Sequence, residues 1–282
     1  MVTDMKKMIS IALLGLLCTA LTAAECRKHN QSYVAPTERG VPFLLKNNLT
    51  NYVITYRFTN ASPTQASSVL LGMPAPVNKY GFSRKDFTSI TINGIDSRQL
   101  EPKKFDIFNT PEASGVDVHF NFNGIPMIQR FSVSDSSGLL TMSWRRGPGK
   151  AHDPIRSMTI RFFVMPCAAG RDRDSYLREV VTPAGKYSSK PKVRWRKQNL
   201  TKRDTWLILQ DAKYQTAGPV LLCPDWNSIV SGHARFGAHQ DMYLEFQLDP
   251  NANKWDFGML DSEVRRKNAD FADFLKKQKI IK

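Results

Sequence analysis

Val116-Asp117-Val118-His119-Phe120-Asn121-Phe122-Asn123 decides the fold, because apolar residues take every second position and polar residues fill the positions between. A period of two places Val116, Val118, Phe120 and Phe122 on one face of a strand and Asp117, His119 and Asn121 on the other, the pattern of a sheet buried on one side and wet on the other. The same period recurs at Ile54, Tyr56 and Phe58; at Phe131 and Val133; at Ile160, Phe162 and Val164; at Val193 and Trp195; and at Met242, Leu244, Phe246 and Leu248. Turn chemistry separates these runs at Asn60-Ala61-Ser62-Pro63, Asn93-Gly94, Asn123-Gly124, Gly147-Pro148-Gly149, Ala184-Gly185 and Asp249-Pro250. Short alternating strands with such punctuation predict a mainly β fold of antiparallel, sandwich-like sheets, not alternating β and α units.

Outward from these strands the chain divides into three parts. Residues 1–24 read as a cleaved secretory signal, with Lys6 and Lys7 ahead of an apolar run from Ile9 to Leu21 and small residues at Thr22-Ala23-Ala24. An uncleaved N-terminal anchor is the competing reading, but the run is short for a membrane span. Residues 25–258 form the β-rich body, with a possible break into two subdomains in the polar stretch 168–189. Residues 259–282 read as a basic amphipathic helix: Asp261 caps it, Val264, Phe271 and Leu275 make its apolar stripe, and late lysines suit its negative end. Docked on a sheet, that stripe closes a core; exposed, it would meet an anionic membrane or a partner groove.

The 282 residues carry 40 Lys and Arg against 25 Asp and Glu, a formal charge of +15, with 41% hydrophobic residues. That hydrophobic content excludes a disordered chain, and the single long apolar run excludes a polytopic membrane protein. Losing Lys6, Lys7 and Asp4 with the signal lowers the charge only to +14, so the excess belongs to the body. Three cysteines remain, and a disulfide between Cys167 and Cys223 is expected, since each ends an apolar strand run. In the chain-entropy model such a loop contributes about 4 kcal/mol. The alternative pairs Cys26 and leaves one buried free thiol.

The charge is concentrated. Lys186 to Arg203 contains eight cations and no acid before Asp204, and in Lys192-Val193-Arg194-Trp195-Arg196-Lys197 alternation sets Lys192, Arg194 and Arg196 opposite Val193 and Trp195. Cations spaced about 7 Å apart on a strand face make a ledge for a polyanion, or else protect an edge strand from aggregation. Trp144-Arg145-Arg146 before the Gly147-Pro148-Gly149 bend forms a second group, in which Trp144 is either an anchor for a partner or a core residue. The expected partner-binding residues are therefore Lys192, Arg194, Trp195, Arg196, Lys197, Trp144, Arg145 and Arg146.

No catalytic signature accompanies them. The chain lacks G-x-S-x-G, H-E-x-x-H, a P-loop and C-x-x-C spacing, and no catalytic residue, metal site or cofactor is expected. An export signal without any nucleic-acid reader motif argues against nucleic acid and for an acidic protein or an anionic glycan or lipid surface outside the cytoplasm. The leading expectation is a periplasmic or secreted, non-catalytic binding protein with no membrane span after cleavage, for example an immunity protein that neutralises an envelope-acting toxin. Two alternatives come from other classes. One is an exported hydrolase of polyanionic wall or lipid substrates using His119, His233 or His239 with an aspartate; the other is an adhesin-like glycan-binding module.

Overall fold

The computed structural model describes residues 24–29, 39–48, 51–62, 65–72, 87–137, 139–149, 153–164, 178–188, 196–211, 219–236, 242–261 and 268–282. In chain order the strands begin with β1 (Glu25–Lys28), β2 (Arg39–Lys46), β3 (Asn51–Ser62), β4 (Gln65–Gly72), β5 (Thr88–Ile92), β6 (Ile95–Asp96), β7 (Lys104–Asn109), β8 (Ser114–Phe122), β9 (Ile125–Val133) and β10 (Leu140–Arg146). They continue with β11 (Met158–Val164), β12 (Arg178–Thr182), β13 (Gly185–Ser188), β14 (Arg196–Leu200), β15 (Leu207–Asp211), β16 (Val220–Pro224), β17 (Ile229–Phe236), β18 (Met242–Leu248) and β19 (Lys254–Asp261), and the helix α1 (Asn268–Lys277) follows. Among the described residues all pairings are antiparallel, in sheets of four (β1-β2-β3-β4), nine (β13-β12-β15-β16-β19-β10-β9-β8-β7) and six strands (β14-β17-β18-β11-β5-β6).

The opening run is β8, and its alternation holds: Val116, Val118, Phe120 and Phe122 are all buried on the inner face of the nine-stranded sheet. The six-stranded sheet packs on that face through Phe162 and Phe246, whose rings lie 4.9 and 5.5 Å from Phe257. The four-stranded sheet packs beside it through Phe43 and Tyr56, each with its ring 5.3 Å from Phe105. The Tyr56 hydroxyl, fully buried, donates to Gln129 Oε1 at 2.6 Å, so the ring is buried without leaving a polar atom stranded. Asn93-Gly94 and Asn123-Gly124 turn with positive φ at both residues, which joins β5 to β6 and β8 to β9 by the tight hairpins their sequences require.

Three expectations are corrected. Strands from both sides of residues 168–189 share the nine- and six-stranded sheets, and one core runs through all three sheets, so the body does not split there. Met259, Leu260 and Asp261, expected within the C-terminal helix, are not helical. Lys254–Asp261 is instead a central strand, held between β10 and β16, because Trp255, Phe257 and Met259 alternate inward and are fully buried. Trp144, paired with Trp255, is 1% exposed and rings with Phe120 at 5.5 Å; it fills the core and is unavailable to a partner.

The outer face of the nine-stranded sheet has two unlike halves. On β15, β16 and β19 the outward residues Ile208, Leu221 and Leu260 are apolar, and α1 covers them with Phe271 and Leu275 in a second core. On β7 to β10 the outward face carries charges, among them Lys104, Asp106, Asp117, Arg130 and Arg145. Asp117 accepts two hydrogen bonds from Arg130, at 2.6 and 2.7 Å, and one from Arg145 at 2.8 Å, and the Arg130 guanidinium lies 4.3 Å from the Phe108 ring centroid. Gly115 makes this stack possible, since a Cβ there would sit 2.8 Å from the Phe108 ring and 2.2 Å from a backbone oxygen.

Candidate functional site

The basic segment read from the sequence enters the structure at β14, the edge of the six-stranded sheet. There Arg196 pairs with Phe236 and Lys197 with Arg235, and the Lys197 side chain stands exposed on the outward face. Register then builds two rows across four strands. Lys197, Arg235, Tyr243 and Phe163 form one; Asn199, His233, Glu245 and Arg161 form the other. With strands about 4.8 Å apart, each row spans about 14 Å.

Within these rows Glu245 is the only acid. Arg161 grips it with Nη2 at 2.7 Å and Nε at 3.2 Å, and His233 Nε2 stands 3.5 Å from its other oxygen. Burial would raise the Glu245 carboxyl, but the hydrogen bonds and charge of Arg161, with His233 and Arg235 behind them, hold it below the usual range. His233 is pushed down, first by burial and then by Lys197, Arg235 and Arg161, against the pull of Glu245. Lys197, Arg235 and Arg161 thus set three cations around one carboxylate. Beside them the Phe163 and Tyr243 rings meet edge-on at 4.7 Å, a half-buried aromatic ridge flanking the charges.

After β14 the chain turns at Thr201-Lys202-Arg203-Asp204. The Asp204 side chain is fully buried and accepts from Thr182 Oγ1 at 2.5 Å, from the Thr201 backbone N–H at 2.7 Å and from Thr201 Oγ1 at 3.1 Å. Trp226 Nε1 donates to the Asp204 carbonyl at 2.9 Å. The turn is thus fastened from beneath, and Lys202 and Arg203 stand exposed at its tip. Among the described residues Lys197, Lys202 and Arg203 make no ion pair, whereas Lys186 binds the buried Glu179 at 2.6 Å, Arg145 binds Asp117, and Arg146 donates to the Pro250 carbonyl at 2.7 Å.

Of the residues picked from the sequence, then, Lys197 lies on an open basic face, Arg145 and Arg146 are held by other partners on the nine-stranded sheet, and Trp144 is in the core. Lys192, Arg194, Trp195 and the Arg196 side chain lie outside the described residues, as do Cys167, His239 and Asp241. Arg161, Arg235 and Glu245 went unread, although alternation about Ile160, Phe162 and Leu244 places Arg161 and Glu245 outward. Cys223 is a free thiol, pushed up to about 12 by burial; Cys26 is likewise free and pushed up to about 12 by burial, with the charge of Glu25 adding to the effect.

The histidine candidates do find carboxylates. His119 Nε2 lies 2.9 Å from Asp106, which Lys104 also contacts at 2.9 Å, and His233 faces Glu245. Neither histidine has a hydrogen-bonded Ser, Thr or Cys among the described residues, and the two pairs stand on different sheets. These are histidine–carboxylate contacts, and among the described residues neither is joined to a nucleophile.

No protein-family model matches the chain, and no curated protein matches its sequence. Among solved structures it is similar to a TPR-domain containing protein from Parabacteroides distasonis, with a TM-score of 0.50 and 11% identity over 88% of this chain and 56% of that one. It is also similar to an alpha-N-acetylgalactosaminidase from Bifidobacterium bifidum, with a TM-score of 0.50 and 7% identity over 83% of this chain and 39% of that one. The chain spans about half or less of each, and the likeness is one of β architecture alone.

Proposed function

We propose that this chain is an exported, non-catalytic binding protein that engages an acidic macromolecular partner through the outward face of β14, β17, β18 and β11 and the turn after β14. The observation that carries this reading is the group Lys197, Lys202 and Arg203, exposed and without ion pairs among the described residues, next to Arg235 and the Phe163–Tyr243 ridge. Unpaired cations steer an acidic partner and raise its association rate, while a half-buried aromatic ridge supplies area that keeps it bound. An envelope-acting toxin neutralised by this protein is the concrete form of the proposal.

The test is comparative capture from an envelope extract, with the mature chain and a Lys197→Glu/Lys202→Glu/Arg203→Glu variant as baits. The partner should be retained by the first and lost by the second, and its association rate should fall steeply with salt. Equal retention by both baits, or an affinity indifferent to salt, would sink the reading.

A further inference from the structure

A second basic surface lies on the opposite side of the sandwich, and it is built differently. Helix α1 buries Phe271 and Leu275 against the nine-stranded sheet, and Ile281 beyond it is 4% exposed, so the segment is pinned at both ends. Between those anchors Lys276, Lys277 and Lys279 stand exposed, with Lys282 just past the second, and none of the four makes an ion pair among the described residues.

The helix ends in a closed cap. The Lys279 N–H donates to the Lys276 carbonyl and the Ile280 N–H to the Leu275 carbonyl, each at 2.9 Å, and Lys279 takes the left-handed conformation at φ 58°. Glycine suits that position best, because a Cβ there meets backbone. Here the strained position carries a lysine, which the cap aims into solvent beside Lys276 and Lys277. The apolar stripe that would insert into a bilayer is already engaged with the sheet, so these lysines have charge to offer and no wedge. They form a charged patch on a segment pinned at both ends, suited to a broad anionic plane more than to a shaped protein epitope.

We propose that the Lys276, Lys277 and Lys279 platform docks the protein on the headgroups of an anionic phospholipid bilayer, by charge alone and without insertion. The six-stranded sheet packs on the other side of the nine-stranded sheet from α1. Docking through α1 therefore leaves the Lys197 face turned away from the membrane.

The experiment is co-sedimentation of the mature chain with phosphatidylcholine vesicles and with vesicles carrying about one-third phosphatidylglycerol. Binding should occur only to the second, fade at high salt, and fall roughly a hundred-fold in Lys276→Gln/Lys277→Gln/Lys279→Gln, at about five-fold for each lysine. Lys279→Gly alone, which relaxes the cap, should cost about five-fold while its thermal melt shows an intact fold. The Lys197→Glu/Lys202→Glu/Arg203→Glu variant should keep most of its vesicle binding, which separates this surface from the partner face. Failure of the unaltered chain to bind anionic vesicles at low salt, undiminished binding by the triple glutamine variant, or equal losses from both triple variants would each overturn the proposal.

Discussion

The two halves of the nine-stranded sheet's outer face are both made of antiparallel strands, yet they meet water in opposite ways. β15, β16 and β19 carry the runs Leu207-Ile208-Leu209, Val220-Leu221-Leu222 and Met259-Leu260, each apolar on both faces over that stretch, and α1 covers the side that faces away from the core. On β8 to β10 the runs alternate, and charges cover themselves: Asp117 sits 8% exposed beneath Arg130 and Arg145. A strand apolar on both faces demands a lid, while an alternating one does not. The first half should therefore owe its stability to hydrophobic burial, and the second to much less.

The sharpest way to break that contrast is to hollow the helix contact. Phe271 is 1% exposed and Leu275 fully buried, so Phe271→Ala and Leu275→Ala should each cost about 3 kcal/mol, through lost transfer energy plus the cavity left over Ile208, Leu221 and Leu260. Denaturant unfolding reads this directly. A loss below about 1 kcal/mol would mean that the helix is a loose flap, and the sheet beneath it would have to be stable uncovered.

The next effect is smaller and lies in the charged half. Asp117→Asn should cost about 1–2 kcal/mol, less than a fully buried pair, because Arg130 and Arg145 are 34% and 39% exposed and solvent screens them. Burial pushes the Asp117 carboxyl up, but the hydrogen bonds and charge of Arg130, then of Arg145, outweigh it and leave the group below its usual value. A depressed folded value means the contribution is complete above the unfolded aspartate value of about 3.9 and is lost as pH falls through the folded one. Stability of the unaltered chain should drop below about pH 4, and the Asn variant should show a shallower drop; identical acid limbs would remove Asp117 from the account.

How much of this contrast was legible follows from the range of each signal. Alternation is local, so β8 and β18 could be read from their own residues, and the Asn-Gly hairpins from two. The ending Val220-Leu221-Leu222 was also visible, but a continuous run does not say what covers its second face. Asp261 looked like a cap because a helix does follow; the inward period of Trp255, Phe257 and Met259 is what carries the strand through to Asp261. Trp144 shares its phase with Leu140 and Met142, and that phase, more than the neighbouring arginines, places it inside. The basic face was half legible: Lys197 came from a local charge run, whereas Arg161 reaches Glu245 across 84 residues through a register that no local pattern states.

A third measure concerns the end of the lid. Lys279 holds φ 58° at the helix cap, where an L side chain is strained, so Lys279→Gly should raise stability by about 0.5–1 kcal/mol, the gain reduced by glycine's greater freedom in the unfolded chain. A rise in melting temperature with a fall in vesicle binding would show that the lid carries a lysine at the expense of its own fastening. A fall in both would show that Lys279 serves the helix instead.

The smallest expected effect tests whether the charged half is a network or a set of independent pairs. Lys254 binds Asp256 at 2.7 Å, but its side chain is 57% exposed, and it stands directly across from Arg145 on β10. The exposed pair is worth at most about 1 kcal/mol, and like charges opposed across two strands cost a similar amount. The two contributions oppose each other at one side chain, so Lys254→Ala should change the unfolding free energy by less than about 0.5 kcal/mol. Removing it also frees Arg145 from that repulsion, which can only tighten its bond to Asp117. A double-mutant cycle with Asp117→Asn measures that link: coupling above about 0.5 kcal/mol would show that charges on β8, β10 and β19 act together, and the charged half would then match the helix-covered half in cooperativity while remaining unlike it in chemistry.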